Sequence, residues 1–409
     1  MTLFSFIRRR LSWGLSCCWG LFVIFVGLVF RAPSDAVGSA DKNECRILVV
    51  RLDGIGDLVL NTPVLRELRK ARPNAEITLL IPERGRIVYE TCPYVDQLLI
   101  IHPNLENRRN PLQSLLSARA YWHTQSNRNF NIALSPRLGL DPFLAFILYF
   151  SNAPIRLGYS ERFAGNKLNL DRFLTQTIPH AKQQHDTQNS LAVLEALHIT
   201  PTDSSPEIWL SQSDREFAVK WNQQDTADSR RLVVGIGVGA SLPKRIWPPE
   251  RHAIIASWLV NAYEARIFLL GGANDVKLAS RIAKQVGPAA INLAGQTSLR
   301  EAAALIEICS VLLVHDTGLL HIGSAVGTPT VEISCHPRSG LGTSSNAPER
   351  FGPWHVPHRI LRPNHPRPPC VDGCIKERQA HCILEIETEE VKEALSELIM
   401  ERYGWPPNC

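Results

Sequence analysis

"RILVVRLDGIGDLVLNTPVLREL", residues 46–68, sets the apolar run Ile47-Leu48-Val49-Val50 before a helical pattern from Val64, with two glycines and two aspartates between them. A short apolar run without alternation reads as a strand buried on both faces, and the helical pattern after it makes the pair the opening of a parallel α/β unit. The turn has a structural reading. Gly54 and Gly56 supply unusual backbone angles, Asn61 or Thr62 caps a helix over 62–72, and Pro63 occupies its first turn. Asp57 is left over. A carboxylate at the carboxyl end of a first parallel strand faces the crevice in which open α/β sheets bind ligands.

Outward from this stretch, strand-like runs at 46–50, 76–81, 97–101 and 131–135 alternate with amphipathic stretches at 62–72, 84–92 and 111–123. The apolar run Phe143–Phe150 reads as a core helix, with a membrane-touching face as the alternative. Residues 200–230 are rich in Ser, Asp, Gln, Pro and Thr, interrupted by a short helical pattern near Phe217–Trp221, and mark a domain boundary. Beyond it the alternation restarts, with strands expected at 232–238, 266–270, 290–293, 311–315 and 329–333 and helices at 250–263, 275–286 and 299–308. The pattern predicts two Rossmann-like halves, residues 41–225 and 226–409, with a ligand held between the carboxyl ends of their sheets.

Residues 1–40 stand apart. Arg8-Arg9-Arg10 precede "LSWGLSCCWGLFVIFVGLVF", residues 11–30, which lacks any charge and is long enough to cross a bilayer as a helix. A membrane anchor followed by the linker 33–44 is expected; its apolar core exceeds the about 7–15 residues of a cleaved signal peptide. Cys17 and Cys18 are apolar filler or acylation sites. Basic residues flank both sides of the span, so the charge bias votes weakly on orientation.

The chain has 409 residues, 44% hydrophobic and 20% charged, with a formal net charge of +5. That composition is globular and too long for one core. Lys and Arg are dispersed rather than striped, so no nucleic-acid partner is expected, while an acidic or phosphorylated ligand is compatible. Ten cysteines lie far below disulfide-scaffold density. Cys370, Cys374 and Cys382 cluster beside His381, but without a paired C-x2-C element they read as structural thiols or one disulfide, and no metal is assigned.

The second half carries two further motifs. "LLVHDTGLLHIGSAVGTPTVEIS", residues 312–334, runs from a buried strand through His315-Asp316 into a helix beginning near Gly318. The free N–H groups of such a helix start hold a diphosphate, with Asp316 placed for sugar hydroxyls and His321 for phosphate or ribose; the alternative is a capping Asp316 or Thr317 and a packed His321. "GVGASLPKRIWPPERHA", residues 237–253, offers Ser241, Lys244 and Arg245 before a Trp247-Pro248-Pro249 helix start. Gly235, Gly237 and Gly239 are a weak match to a dinucleotide fingerprint, because the third spacing is wrong and no acidic residue follows about twenty positions on.

Taken in order, "VVRLDGIGDLVLNTPVLRELRKARPNAEITLLIP", "CPYVDQLLI", "IRLGY", "GASLPKRIWP", "LLGGAND", "NLAGQTSLREAAALI", "HDTGLLHIGSAVGTPTV", "PERFGPW" and "CVDGCIKERQAHCILEIETEEV" resemble glycosyltransferase family 9, which includes the ADP-heptose:lipopolysaccharide heptosyltransferases. The resemblance spans Arg46 to about Val391 and implies a GT-B fold, with the first half binding the acceptor and the second the nucleotide sugar. It implies an inverting transfer without metal or other cofactor. Asp57 is then the general base, Lys244 contacts donor phosphate, and Ser241, Asp316, Thr317, Gly318 and His321 line the donor site. Gly54 and Gly56 let the first loop approach the substrate, and Asp53 is the less favoured carboxylate. ADP-heptose is the donor the family suggests, with a lipopolysaccharide-type glycan or glycolipid acceptor at the bacterial inner membrane and a cytoplasmic catalytic domain. Another nucleotide sugar, or nucleotide-sugar binding without catalysis, are the alternatives.

Overall fold

The Val/Ile/Leu-rich runs fold as parallel strands because both of their faces are covered. The structure, a computed structural model, describes residues 45–407 except 106–109, 126–127, 165–167, 179–183, 224–231 and 345. The expected anchor at 11–30 and its linker lie outside the described residues. No helix among the described residues is long and apolar enough to cross a membrane.

The first sheet contains β1 (Arg46–Val50), β2 (Glu76–Pro82), β3 (Gln97–Ile101), β4 (Ile132–Leu134), β5 (Ile155–Tyr159) and β6 (Gln176–Ile178), ordered β3-β2-β1-β4-β5-β6. The second contains β7 (Val233–Gly237), β8 (Arg266–Leu270), β9 (Ala290–Asn292), β10 (Val311–His315), β11 (Thr330–Ile333) and β12 (His358–Leu361), ordered β12-β11-β10-β7-β8-β9. Every pairing is parallel, with Val50 opposite Leu80 and His315 opposite Ile333 at the carboxyl ends. Both sheets have the doubly wound order, and each reverses direction beside its first strand, at β1/β4 and at β7/β10.

One apolar cluster runs through the interior between the two sheets, joining Ile47 and Val49 to Phe268 and Val314. Each sheet's other face has its own cluster, around Phe143 and Phe146 in the first half and around Trp247 and Ile267 in the second. The helix Pro142–Phe150 belongs to the first of these, with its residues 142–148 buried, which settles its apolar character as core packing. The helix Gln212–Gln223 precedes the expected boundary near 225 yet packs on the second half's Leu299–Glu307, with Arg215 2.9 Å from Glu307. The C-terminal helix Thr388–Tyr403 contributes Val391, Leu395, Leu398 and Ile399 to the second half's outer core.

Three local expectations need correcting. The first helix starts at Ile55 rather than at 62, and only Asn61 separates it from the next helix, Thr62–Ala71. Asn61 is itself near-helical and makes no side-chain cap; the Thr62 hydroxyl donates to the Val59 carbonyl instead. Neither Gly54 nor Gly56 has a left-handed backbone, Gly54 being extended at φ −71° and ψ 168°. Gly56 is required by proximity, since a methyl there would collide with the His321 ring from the other half. Gly235 and Gly237 lie within β7 itself, which removes them from any phosphate-binding turn.

Candidate active site

The two halves meet where the helix Ile55–Leu60 packs against the helix Gly318–Ala325, and beside this contact opens a cleft of about 590 Å³. Gly54, Gly56 and Asp57 line it from the first half, and Ser241, Asp316, Thr317, Gly318 and His321 line it from the second. Residues separated by hundreds of positions converge because both loops leave the carboxyl ends of strands at the order reversal of their sheets.

Asp57 stands in the first turn of its helix, where the Gly54 N–H donates to its Oδ2 at 3.1 Å. The capping and cleft-facing readings therefore hold together: one oxygen closes the turn and the carboxylate still lines the cleft, its side chain 34% exposed. Recession into the cleft, followed by the nearby Asp53 charge, pushes Asp57 up to about 6, against the pull of the Arg51 guanidinium 3.9 Å away. A carboxylate tuned close to the working pH is a more effective proton acceptor than one at its ordinary value.

Asp53 has a different environment. It lies 2.8 Å from Arg51 Nε and 2.8 Å from Arg137 Nε, so two guanidinium groups neutralise it. Arg51 is buried, also pairs with Asp186 at 2.8 Å, and donates to the Pro136 carbonyl and the Ser190 hydroxyl. This network of Arg51, Arg137 and Asp186 was not read from the sequence. Arg51 directly follows the first strand and could have been flagged as a charge at a buried position, but its partner Asp186 lies 135 residues away.

On the opposite wall, Thr317 is the N-cap of Gly318–Ala325 and makes no side-chain capping bond. Its Oγ1, and Nδ1 of His321 one turn further, are buried without a hydrogen-bond partner among the described residues. Burial first, then the neighbouring His185 and Arg245, lower His321 to about 3, so it stays neutral. Asp316 is buried and raised to about 6 by that burial, with Arg245 and then Lys244 opposing. Its carboxylate lies 3.2 Å from Arg245.

Lys244 departs from expectation. The tight turn Pro243–Arg245 directs consecutive side chains to opposite sides, and Lys244 is 4% exposed with its ammonium donating to the Cys374 carbonyl at 3.0 Å. It does not line the cleft; Arg245 does, held by the Asp316 carbonyl at 3.0 Å and the Asn346 side chain at 2.6 Å. The far end of the cleft is formed by Gly271, Gly272, Asp275 and Thr297–Leu299, from the segments after β8 and β9.

A second set of contacts ties the halves together. His185 stacks on Trp354 with ring centroids 4.2 Å apart, while its Nε2 lies 3.1 Å from the Gly352 carbonyl. His355 meets the Ser204 hydroxyl at 2.8 Å, and Arg350 reaches Asp186 at 3.7 Å. The "PERFGPW" segment thus carries the second half's contacts to the acid–guanidinium network beneath Asp57.

The profile of glycosyltransferase family 9 (heptosyltransferase) matches residues 143–378, more than half of the chain. Lipopolysaccharide heptosyltransferase 2 of Escherichia coli strain K12 is 26% identical over 370 residues, covering 87% of this chain and 99% of that protein. Lipooligosaccharide heptosyltransferase 2 of Haemophilus ducreyi is 26% identical over 297 residues, covering 69% and 81%. Among solved structures, a family 9 glycosyl transferase from Veillonella parvula superposes with a TM-score of 0.71 at 24% identity, over 87% of this chain and 98% of that one. The E. coli ADP-heptose LPS heptosyltransferase II does so at 0.61 and 20% identity, over 87% and 99%. The paired sheets and cleft agree with these folds, and the chain belongs to glycosyltransferase family 9 and is a glycosyltransferase.

Proposed function

We propose that this enzyme moves heptose from ADP-heptose onto a lipopolysaccharide-type acceptor of the cell envelope, inverting the anomeric centre and using no divalent cation in the cleft. The donor and acceptor classes rest on relatives named lipopolysaccharide and lipooligosaccharide heptosyltransferase 2. The mechanism rests on one observation: Asp57 lines the same cleft as the uncapped helix start at Thr317-Gly318.

In this reading the acceptor hydroxyl attacks the anomeric carbon as the bond from that carbon to the diphosphate oxygen breaks, and its proton passes to Asp57. One in-line displacement of this kind inverts configuration. The departing diphosphate gains negative charge, which the first-turn N–H groups of Gly318–Ala325, Thr317 Oγ1 and the Arg245 guanidinium stabilise. Ser241 and His321 complete the donor side, with Asp316 accepting from donor hydroxyls. Lys244 acts from behind, its charge helping to keep Asp316 ionised. Gly54 and Gly56 keep the first loop slim enough for this approach.

The proposed division assigns acceptor binding to residues 41–225 and donor binding to 226–409, with residues 1–40 as anchor and linker. A span at 11–30 holding the catalytic halves at the cytoplasmic face of the inner membrane puts them beside the nucleotide-sugar pool. The deciding experiment incubates the purified full chain with ADP-heptose and lipopolysaccharide acceptors of graded core length, and reads products by mass. The expected product carries one added heptose with inverted anomeric configuration. Turnover of a different nucleotide sugar, with ADP-heptose left intact, would reassign the donor.

A further inference from the structure

Between β12 and the C-terminal helix, residues 362–387 contain no strand and only one short helical turn, Cys382–Glu385. Connections longer than about 12–15 residues without their own secondary structure are uncommon in a compact domain and need some other means of order. This one buries three thiols, Cys370, Cys374 and Cys382, in the second half's outer core. Their sulfurs and one ring nitrogen of His381 all lie within 4.8 Å of one another.

Two sulfur-to-nitrogen spacings match a tetrahedral metal centre. With Zn–S of about 2.3 Å and Zn–N of about 2.0–2.1 Å, the sulfur-to-nitrogen edge of a tetrahedron is about 3.6 Å and the sulfur-to-sulfur edge about 3.8 Å. His381 Nδ1 lies 3.6 Å from Cys370 Sγ and 3.4 Å from Cys382 Sγ. The Ile375 N–H donates to Cys370 Sγ at 3.4 Å, the kind of outer hydrogen bond that orients a thiolate ligand. A disulfide would use two of the three sulfurs and leave the third beside the imidazole without a role. A metal uses all four donors.

We infer that Cys370, Cys374, His381 and Cys382 bind one structural Zn²⁺. Three thiolates and one imidazole are a soft, borderline donor set that suits zinc and fills its four positions with protein ligands, so the centre is closed rather than catalytic. Binding releases the three thiol protons and leaves His381 neutral. The sequence alone argued against this because C-x3-C followed by an adjacent His-Cys pair is not the usual paired spacing; the irregular chain path brings the donors together regardless. The consequence lies behind the donor loop. Lys244 is held by the Cys374 carbonyl, Trp247 Nε1 by the Ile386 carbonyl and Arg251 by the Leu384 carbonyl, so the clipped segment is the back wall of the Gly239–Trp247 loop.

The test needs no activity. The full chain, purified in detergent without chelator, should contain about one zinc per chain by elemental mass spectrometry, released when the thiols are titrated with a mercurial reagent. Exchange with Co²⁺ should give thiolate-to-metal charge-transfer absorption and the intense visible bands of a tetrahedral site. Cys382→Ser should lower bound zinc at least tenfold, whereas Cys309→Ser, at a thiol bonded to the Leu305 carbonyl, should leave it unchanged. Zinc-free protein with reduced thiols, a pair of these cysteines joined in a disulfide, or iron in place of zinc would each overturn the assignment. The mercurial and cobalt measurements use the unsubstituted chain, so they decide the matter even where a variant fails to fold.

Discussion

The loops after β1 and β7 hold equivalent places in their sheets, each leaving the first strand of its half beside the order reversal, yet they are built for opposite charges. Both bury a cation beneath the cleft. Arg51 has carboxylates around it, Asp53 and Asp186 at 2.8 Å and Asp57 at 3.9 Å, so Asp57 is the acid left over after the guanidinium has been claimed. Lys244 has the neutral Cys374 carbonyl at 3.0 Å, leaving Arg245 and an uncapped helix start to face the cleft. On the proposed mechanism, one topology thus yields a wall that takes up a proton and a wall that receives an anion.

Asp57→Asn breaks the first wall and should have the largest effect. Asn can still accept from the Gly54 N–H, but it cannot take a proton, so turnover should fall by roughly 10²–10⁴-fold, the range for losing general acid–base catalysis. ADP affinity, measured by calorimetry, should survive because the proposed nucleotide side is in the other half. A rate within about threefold of the parent, or about 0.7 kcal/mol in barrier, would remove Asp57 from the chemistry.

The same carboxylate sharpens the comparison through pH. On the proposed mechanism its ionised form is the active one, and its value is raised to about 6, so the rate at saturating donor should be flat above that pH and fall about tenfold per unit below it. The low-pH limb should be missing in Asp57→Asn. Asp316 is also raised to about 6, but it belongs to the proposed donor wall, so its protonation should show in ADP-sugar affinity instead. A limb that persists unchanged in Asp57→Asn would assign it to another group.

The second wall is tested by two neighbours that look interchangeable in sequence. Arg245→Ala removes a cleft-lining guanidinium and should weaken ADP binding by about 10- to 100-fold, equivalent to the roughly 1.5–3 kcal/mol of a hydrogen bond to a charged group. Lys244→Ala should instead lower thermal stability, by about 1–3 kcal/mol for the buried carbonyl left unpaired, with a smaller loss of ADP affinity. The reverse pattern would mean that Lys244 swings into the cleft when donor binds.

Most of the architecture was legible because its signals are local. Nine strand-like runs fall on strands of the structure, since a buried parallel strand needs a continuous apolar stretch. β5 and the edge strands β6 and β12 were missed: Gln176-Thr177-Ile178 and His358-Arg359-Ile360-Leu361 are half-exposed and carry polar residues, and the pairing of all three is decided by the neighbour across the sheet. Asp57, Ser241, Asp316, Thr317, Gly318 and His321 were placed by motif and do converge on one cleft. What sequence could not give was direction. A one-residue step in a tight turn separates buried Lys244 from cleft-facing Arg245, and the partners of Arg51 or of the cysteine cluster depend on the path of distant or irregular chain.

The smallest effect expected is also the most direct test of how closely the two walls approach. Gly56 adjoins Asp57, and a methyl at Gly56 would overlap the buried His321 ring of the opposite half. In a helix, Gly→Ala is worth about 1 kcal/mol of stabilisation from propensity, while overpacking costs about 1–3 kcal/mol. The two oppose, so Gly56→Ala should change unfolding free energy by no more than about 2 kcal/mol. Catalysis should be more sensitive: displacing His321 or tilting the Asp57 turn by a fraction of an ångström would separate the proposed base from the donor, and a several-fold loss of turnover is expected. Introducing Gly56→Ala into a His321→Ala background isolates the cause. If the collision matters, the methyl should cost almost nothing further there, a coupling between the two sites readable as a double-mutant cycle. Additive losses would place the effect of Gly56 within its own helix and leave the two walls mechanically independent.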